Sequence, residues 1–225
     1  MKDVNVGIVG VGTYLPSKVM TAKEISDATN GIWSEDAVRL KLGINQKPVP
    51  GDDDGTQEMG VRAAKACLEN TGVDPKDIDV ILCIGEEWKE YPLTTSAIYI
   101  QDQIGAVNAW GIDVQNRCCT CVAAMEIAKS MLIADDEIDT IMVVGGYRNG
   151  DFVDYADTNM SMMFNLAAGG GAIILKKNYG KNLLLGTKIM SDGSISRTAG
   201  VEIGGINNPI THENLEESRK SLRLM

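Results

Sequence analysis

The sequence predicts an α/β layered domain on a mixed, mostly parallel central sheet. Three observations carry this expectation. Short β-rich runs alternate with stretches of helical periodicity along most of the chain. The run from Ile138 to Val144 is almost continuously β-branched, the pattern of a strand buried on both faces. The chain has 225 residues, 44% of them hydrophobic, enough for one large domain or two small ones.

Taken in order, Val6 to Val11 reads as the first strand, ending at Gly12 and the turn residue Pro16. Thr21, with Glu24 at capping-box spacing, starts a helix to Ala28. Ser34 starts another, which ends near Gly43. The three aspartates between Gly51 and Gly55 read as a solvated loop. Thr56 to Asn70 is an amphipathic helix, with Met59, Ala63, Ala66 and Cys67 on one stripe and Gly72 closing it. Ile78 to Ile84 is a strand, Thr94 to Ile104 a helix closed by Gly105, and Trp110 to Val114 a short strand. Cys118 to Ile133 is the next helix, on a stripe of Cys121, Ala124, Met125, Ala128, Met131 and Leu132. Strands follow at Ile138 to Val144, Gly171 to Leu175 and Leu183 to Ile189, and Glu213 to Met225 reads as a charged helix. The βαβαβαββ unit ends near Lys177. The expected organisation is therefore residues 1–177 as one half and 178–225 as the incomplete start of a second, truncated half.

Composition narrows the function classes. Lys and Arg total 21 against 31 Asp and Glu, a formal charge of −10, which argues against a nucleic-acid partner. No apolar run approaches the ~20 residues of a membrane span, and the N-terminus lacks a signal core, so the expectation is a cytoplasmic protein without a membrane partner. The cysteines are Cys67, Cys83, Cys118, Cys119 and Cys121, an odd number with three almost together, which argues against a disulfide framework. Those three lack a second Cys or His pair at ligand spacing, so no metal site is expected.

The spacing points to Cys118. Asp113 to Cys118 leads from a strand directly into a helix and sets Cys118 at the helix N-terminus. Free N–H groups and the dipole there favour a thiolate and can hold an oxyanion. The competing reading makes Cys118, Cys119 and Cys121 small packing residues, and on spacing alone that reading is preferred. Gly7-Ile-Val-Gly10-Val-Gly12 fails the dinucleotide fingerprint, because Leu15 stands where the third glycine belongs. The Gly169–Gly171 run either cradles a phosphate or lets backbone pass close to the nucleophile helix; the second is preferred. Trp88 and Tyr91 fall on a loop after a strand end, where α/β sheets bind ligands, with plain packing an equal alternative. Arg39 and Lys41 can meet a phosphate or stand as solvated cations.

Several segments in order resemble the β-ketoacyl-acyl-carrier-protein synthase III family of the thiolase-like superfamily. Gly10-Val-Gly-Thr-Tyr-Leu-Pro16 is similar to its opening strand and turn, and Leu42-Gly-Ile44 to its "TGI" corner. Asp77-Ile-Asp79 is similar to the approach to its second strand. Asp113 to Cys118 resembles its approach to the nucleophile, with Ala123-Ala-Met125 in the helix that follows. Val143-Val-Gly145 and Ser191-Asp-Gly-Ser194 resemble two later segments. The resemblance implies a thiolase-like fold and reverses the preference at Cys118, which becomes the acyl-accepting nucleophile. It implies acyl transfer from a coenzyme A thioester, then decarboxylative Claisen condensation with a malonyl thioester. No cofactor is implied, coenzyme A thioester being substrate. Arg39, Trp88, Tyr91 and Gly170 are the substrate-binding candidates, each from its own local signal and not from the resemblance. Acyl-CoA, an acyl carrier protein and a second copy in a homodimer are the implied partners. The family's His and Asn have no counterpart here; the single histidine, His212, reads as a surface residue, so this chain alone is expected to be incomplete for condensation. The alternative is a non-catalytic or split partner subunit of a thiolase-like or hydroxymethylglutaryl-CoA-synthase-like complex.

Overall fold

The computed structural model describes residues 4–85 and 88–224. In chain order its first elements are β1 (Val6–Tyr14), β2 (Val19–Thr21), α1 (Ala22–Ala28), α2 (Glu35–Lys41), β3 (Gln46–Pro48), α3 (Thr56–Thr71) and β4 (Val80–Cys83). There follow α4 (Ser96–Ile104), β5 (Trp110–Asp113), α5 (Thr120–Ala134), β6 (Thr140–Tyr147), β7 (Gly169–Lys177), β8 (Ala199–Val201), α6 (Leu215–Ser218) and β9 (Leu222–Leu224). Two compact units emerge: Met1–Leu15, Asp52–Tyr147 and Gly169–Ile189 form the first; Pro16–Gly51, Arg148–Ala168 and Met190–Met225 form the second.

The first unit is built on a five-stranded sheet in the order β1-β7-β6-β4-β5. β4 runs parallel to β5 and to β6, while β7 runs antiparallel to β6 and to β1. Four strands thus point one way and β7 alone is reversed, the mixed, mostly parallel sheet read from the sequence. Parallel neighbours need crossover helices, which α4 and α5 supply on either side of β5. Alternation then sorts the side chains. Ile81, Cys83, Met142, Val144, Ala172 and Ile174 join α3 and α4 in one apolar cluster. Val80, Leu82, Ile141, Val143 and Leu175 face the other way and pack with Ala124, Ala128 and Leu132 of α5. Both faces are covered, which is why β4 and β6 read as unbroken apolar runs.

Helix α3 lies unusually close to the sheet. A Cβ on Gly146 would run into the Thr56 carbonyl, and one on Gly170 into the Met59 carbonyl. These two glycines are cross-strand neighbours on β6 and β7, so the first turns of α3 rest on bare backbone. The glycine-rich strand therefore accommodates α3 at Gly170, not the helix that follows Cys118; Gly171 has no atom within 4 Å of where its Cβ would stand.

The second unit holds the antiparallel β2–β3 pair with α1 and α2. The capping box at Thr21 forms as expected, and Ser34 caps α2. Its core gathers Ala22, Ile25, Val38, Ile44, Val153 and Phe164, with Trp33 packed edge-on to Phe164.

Three expectations are corrected. Leu183 to Ile189 forms no strand: Leu183 makes one bridge with Gly7, and Asn182 pairs with Ile8 through its backbone and its side-chain amide. Leu184 N–H donates to the Val6 carbonyl at 2.9 Å, and the ladder goes no further among the described residues; the next carbonyl, of Leu185, is taken by Lys129 of α5. The charged C-terminal stretch is helical only over Leu215–Ser218, and Leu222–Leu224 pairs with Ala199–Val201 instead. The Ser218 and Ser221 hydroxyls take the Leu215 and Ser218 carbonyls that a longer helix would use. Finally, the aspartate loop is not wholly solvated. Asp54 is buried, accepting from Tyr14 Oη at 2.7 Å and Arg62 Nη1 at 2.7 Å.

Candidate active site

The chain reverses sharply after the edge strand β5. β5 ends at Asp113, and Val114 N–H adds one further ladder bond to the Cys83 carbonyl at 2.8 Å. Arg117 adopts φ 52, the left-handed region that costs a non-glycine residue about 1 kcal/mol or more. Thr120 fixes this turn from both sides: its Oγ1 accepts from Asn116 N–H at 2.8 Å and donates to the Arg117 carbonyl at 2.6 Å. A 3₁₀ turn over Arg117–Cys119 leads into α5. Cys118 therefore lies on the turn, two residues before the α-helix that the sequence started at Cys118. It is exposed, as is Cys119. Cys121 is half-buried, and burial pushes its thiol up. Cys67 and Cys83 are in the core, pushed by desolvation to about 11 and about 12. The one thiol at the strand–helix junction that the sequence singled out is thus open to solvent. The N-cap residue of α5, Cys119, makes no side-chain cap, and Thr120 N–H is taken by the Arg117 carbonyl.

Asp113 organises what stands before the turn. Its Oδ1 accepts from Ala97 N–H at 2.9 Å, and its Oδ2 from Ser96 N–H at 3.0 Å and Lys89 Nζ at 3.0 Å. The N-cap residue of α4, Thr95, makes no side-chain cap, so a carboxylate from the neighbouring strand meets that helix's positive end. α3 is treated alike. Its N-cap is Gly55, and Glu90 Oε1 accepts from Gln57 N–H at 2.8 Å. Thr56 Oγ1 donates to the Trp88 carbonyl at 2.7 Å, Lys89 Nζ to the Thr94 carbonyl, and Thr94 Oγ1 to the Tyr91 carbonyl at 2.8 Å. The loop 88–95 is in this way tied to two helix starts and to the end of β5. Outward from it stand Trp88, Tyr91 and Leu93, the last fully exposed.

The structure brings some predicted residues into one unit and not others. Cys118, Trp88, Tyr91 and Gly170 are in the first unit, with Trp88 and Tyr91 on the loop clamped to Asp113, five residues before Cys118. Gly170 is covered by α3. Arg39 is in the second unit, exposed on α2 and paired with Glu35 at 2.8 Å. His212 is exposed, as expected. Sequence reasoning did not find the roles of Asp113 and Glu90, because each caps a helix start remote along the chain and leaves no local signal. It also passed over Lys47, which is buried with its Nζ donating to the Phe164 and Leu166 carbonyls and lying 5.1 Å from the Tyr155 ring centre. Burial lowers that amine to about 8.

Residues 112–193 match the family model described as 3-oxoacyl-[acyl-carrier-protein] synthase III, a span that takes in Asp113, Cys118 and the Gly169–Gly171 strand. The chain is 27% identical to a β-ketoacyl-[acyl-carrier-protein] synthase III of Rickettsia rickettsii (strain Sheila Smith), over 97% of this chain and 68% of that protein. It is 29% identical to the same enzyme of Geobacillus kaustophilus, over 84% of this chain and 59% of the relative. In fold it is similar to the crystal structure of 3-oxoacyl-(acyl carrier protein) synthase III from Pseudomonas aeruginosa PAO1, with a TM-score of 0.79 at 20% identity, over 98% of this chain and 64% of that one. The chain thus spans between somewhat over half and about two thirds of the length of these relatives. The resemblance read from the ordered sequence segments is borne out, and so is the thiolase-like α/β fold.

Proposed function

We propose that this chain carries the acyl-accepting site of a β-ketoacyl-acyl-carrier-protein synthase of type III, with Cys118 as the nucleophile. One observation carries the reading: within the family-matched segment, Cys118 is an exposed thiol on the sharp turn between β5 and α5, at the position the ordered segments give to the nucleophile. Its sulfur attacks the carbonyl carbon of an acyl-CoA, and the carbonyl oxygen takes up the negative charge. The start of α5, whose N-cap residue makes no side-chain cap, supports a role in receiving that charge. The coenzyme A thiolate leaves, and the acyl group remains as a thioester on Cys118. A malonyl thioester then loses carbon dioxide, and its carbanion attacks the acyl-enzyme and releases the Cys118 sulfur. Trp88 and Tyr91, on the clamped loop, supply apolar surface for the acyl chain. No cofactor enters this scheme, since coenzyme A thioester is substrate and the extender arrives on an acyl carrier protein. A homodimer through the edge strand β5 completes the reading, supported by Trp110 and Ile112, which stand exposed on that edge. Five free thiols support a cytoplasmic setting.

Intact mass before and after incubation with a panel of acyl-CoA thioesters tests the proposal. An acyl-sized increment on the peptide bearing Cys118, lost in Cys118→Ala, is the expected result. A folded chain that takes up acyl groups equally well after Cys118→Ala overturns it.

A further inference from the structure

The five thiols fall into two groups. Cys67 and Cys83 are enclosed by the core. Cys118, Cys119 and Cys121 lie within four residues at the start of α5, two exposed and one half-buried. The backbone through them passes from the 3₁₀ turn, which Thr120 N–H closes onto the Arg117 carbonyl, through Cys119 at φ −93 and ψ 1 into α5. One turn therefore separates Cys118 from Cys121. Residues three apart on a helix share a face, with Cα atoms about 5 Å apart, inside the range a disulfide spans. Adjacent residues such as Cys118 and Cys119 point in divergent directions.

We propose that Cys118 and Cys121 form a reversible disulfide when hydrogen peroxide oxidises Cys118, making this turn a redox-modification site. The Cys118 thiolate attacks one peroxide oxygen. An S–O bond forms, the O–O bond breaks and hydroxide leaves, giving a sulfenic acid. The Cys121 thiol gives up its proton and attacks the Cys118 sulfur. The S–S bond forms as the S–O bond breaks, and the departing hydroxide takes a proton to become water. In sum two thiols are oxidised and one peroxide is reduced to two waters. The disulfide withholds the sulfur that acyl transfer needs and spares it from irreversible sulfinic acid, and a small thiol reductant restores it. This dithiol chemistry goes beyond the proposed acyl transfer and holds even for a chain that accepts no acyl group.

The test compares the parent with Cys119→Ser, Cys121→Ser and Cys121→Ala, each treated with hydrogen peroxide and then iodoacetamide. Trypsin releases residues 118–129 as one peptide, between Arg117 and Lys129. The parent and Cys119→Ser are expected to lose two hydrogens on this peptide, with full recovery by dithiothreitol. Both Cys121 variants are expected instead to gain one oxygen at Cys118 and then a second. Trapping the first product with dimedone separates it from oxidation of Met125. Loss of two hydrogens in the Cys121 variants but not in Cys119→Ser overturns the assignment. So does a parent that gains two oxygens at Cys118 as readily as the Cys121 variants do.

Discussion

Asp113 accepts the Ala97 N–H at 2.9 Å, so the last residue of β5 is the cap of the helix that precedes that strand in the chain. The same carboxylate holds Lys89, and both side chains are largely buried. Removing it leaves an enclosed ammonium and two N–H groups without their acceptor. Asp113→Ala is expected to lower unfolding free energy by roughly 2–4 kcal/mol. Asp113→Asn, which keeps an acceptor but no charge, is expected to cost less. Urea unfolding followed by tryptophan emission measures both.

The contact of α3 with β6 and β7 gives a steric prediction. Gly146→Ala and Gly170→Ala each set a methyl against a helix carbonyl, and backbone on both sides cannot yield cheaply. A loss of roughly 3 kcal/mol or more is expected for each, at or beyond the usual range for overpacking. Gly171→Ala meets open space and is expected to stay near the parent. Thermal melts of the three variants side by side check this.

Alkaline stability follows from the core thiols. Cys67 and Cys83 ionise near 9 when unfolded but are pushed to about 11 and about 12 in the fold. From about pH 9 upward the unfolded chain has lost these protons while the folded chain retains them. Stability is then complete below 9 and falls as pH rises toward 11 or 12. A Cys67→Ala, Cys83→Ala double variant is expected to lack this part of the decline. Urea midpoints taken between pH 8 and 10.5 give the comparison.

Lys47 acts with the opposite sign. Its amine is lowered from 10.5 to about 8 by burial, so between those values the unfolded chain binds the extra proton. Stability contributed at this site therefore rises with pH across that window. Lys47→Met removes the trend and also leaves two carbonyls without their donor. The parent is expected to gain stability relative to Lys47→Met from pH 8 to 10.5, read from the same midpoints.

Local signals read well where local physics decides. The periodicity of α3, the β-branched run of β6 and the capping box at Thr21 each depend on neighbours in sequence, and each forms as expected. The turn at Cys118 was legible because a strand and a helix abut there, although the helix begins at Thr120. Leu183 to Ile189 has strand composition, but a strand needs a partner, and the β1 edge offers it only one bridge. Asp54 looked like one of three solvated acids because Arg62 and Tyr14, which enclose it, lie eight and forty residues away. The acids at 90 and 113 carry the same lesson, since a carboxylate that caps another segment's helix is indistinguishable by sequence from a surface charge.

The bare-backbone seat of α3 has a consequence for how this fold can drift. At Gly146 and Gly170 no rotamer stands between helix and sheet, so the position of the helix start does not depend on how neighbouring side chains repack. Thr56 and Gln57, which hold the 88–95 loop, sit at that start. Core substitutions elsewhere on α3 can loosen or tighten the filling between layers, yet the loop's mooring stays where two main chains meet. The surface that carries Trp88 and Tyr91 is thus insulated from mutational noise in the interior.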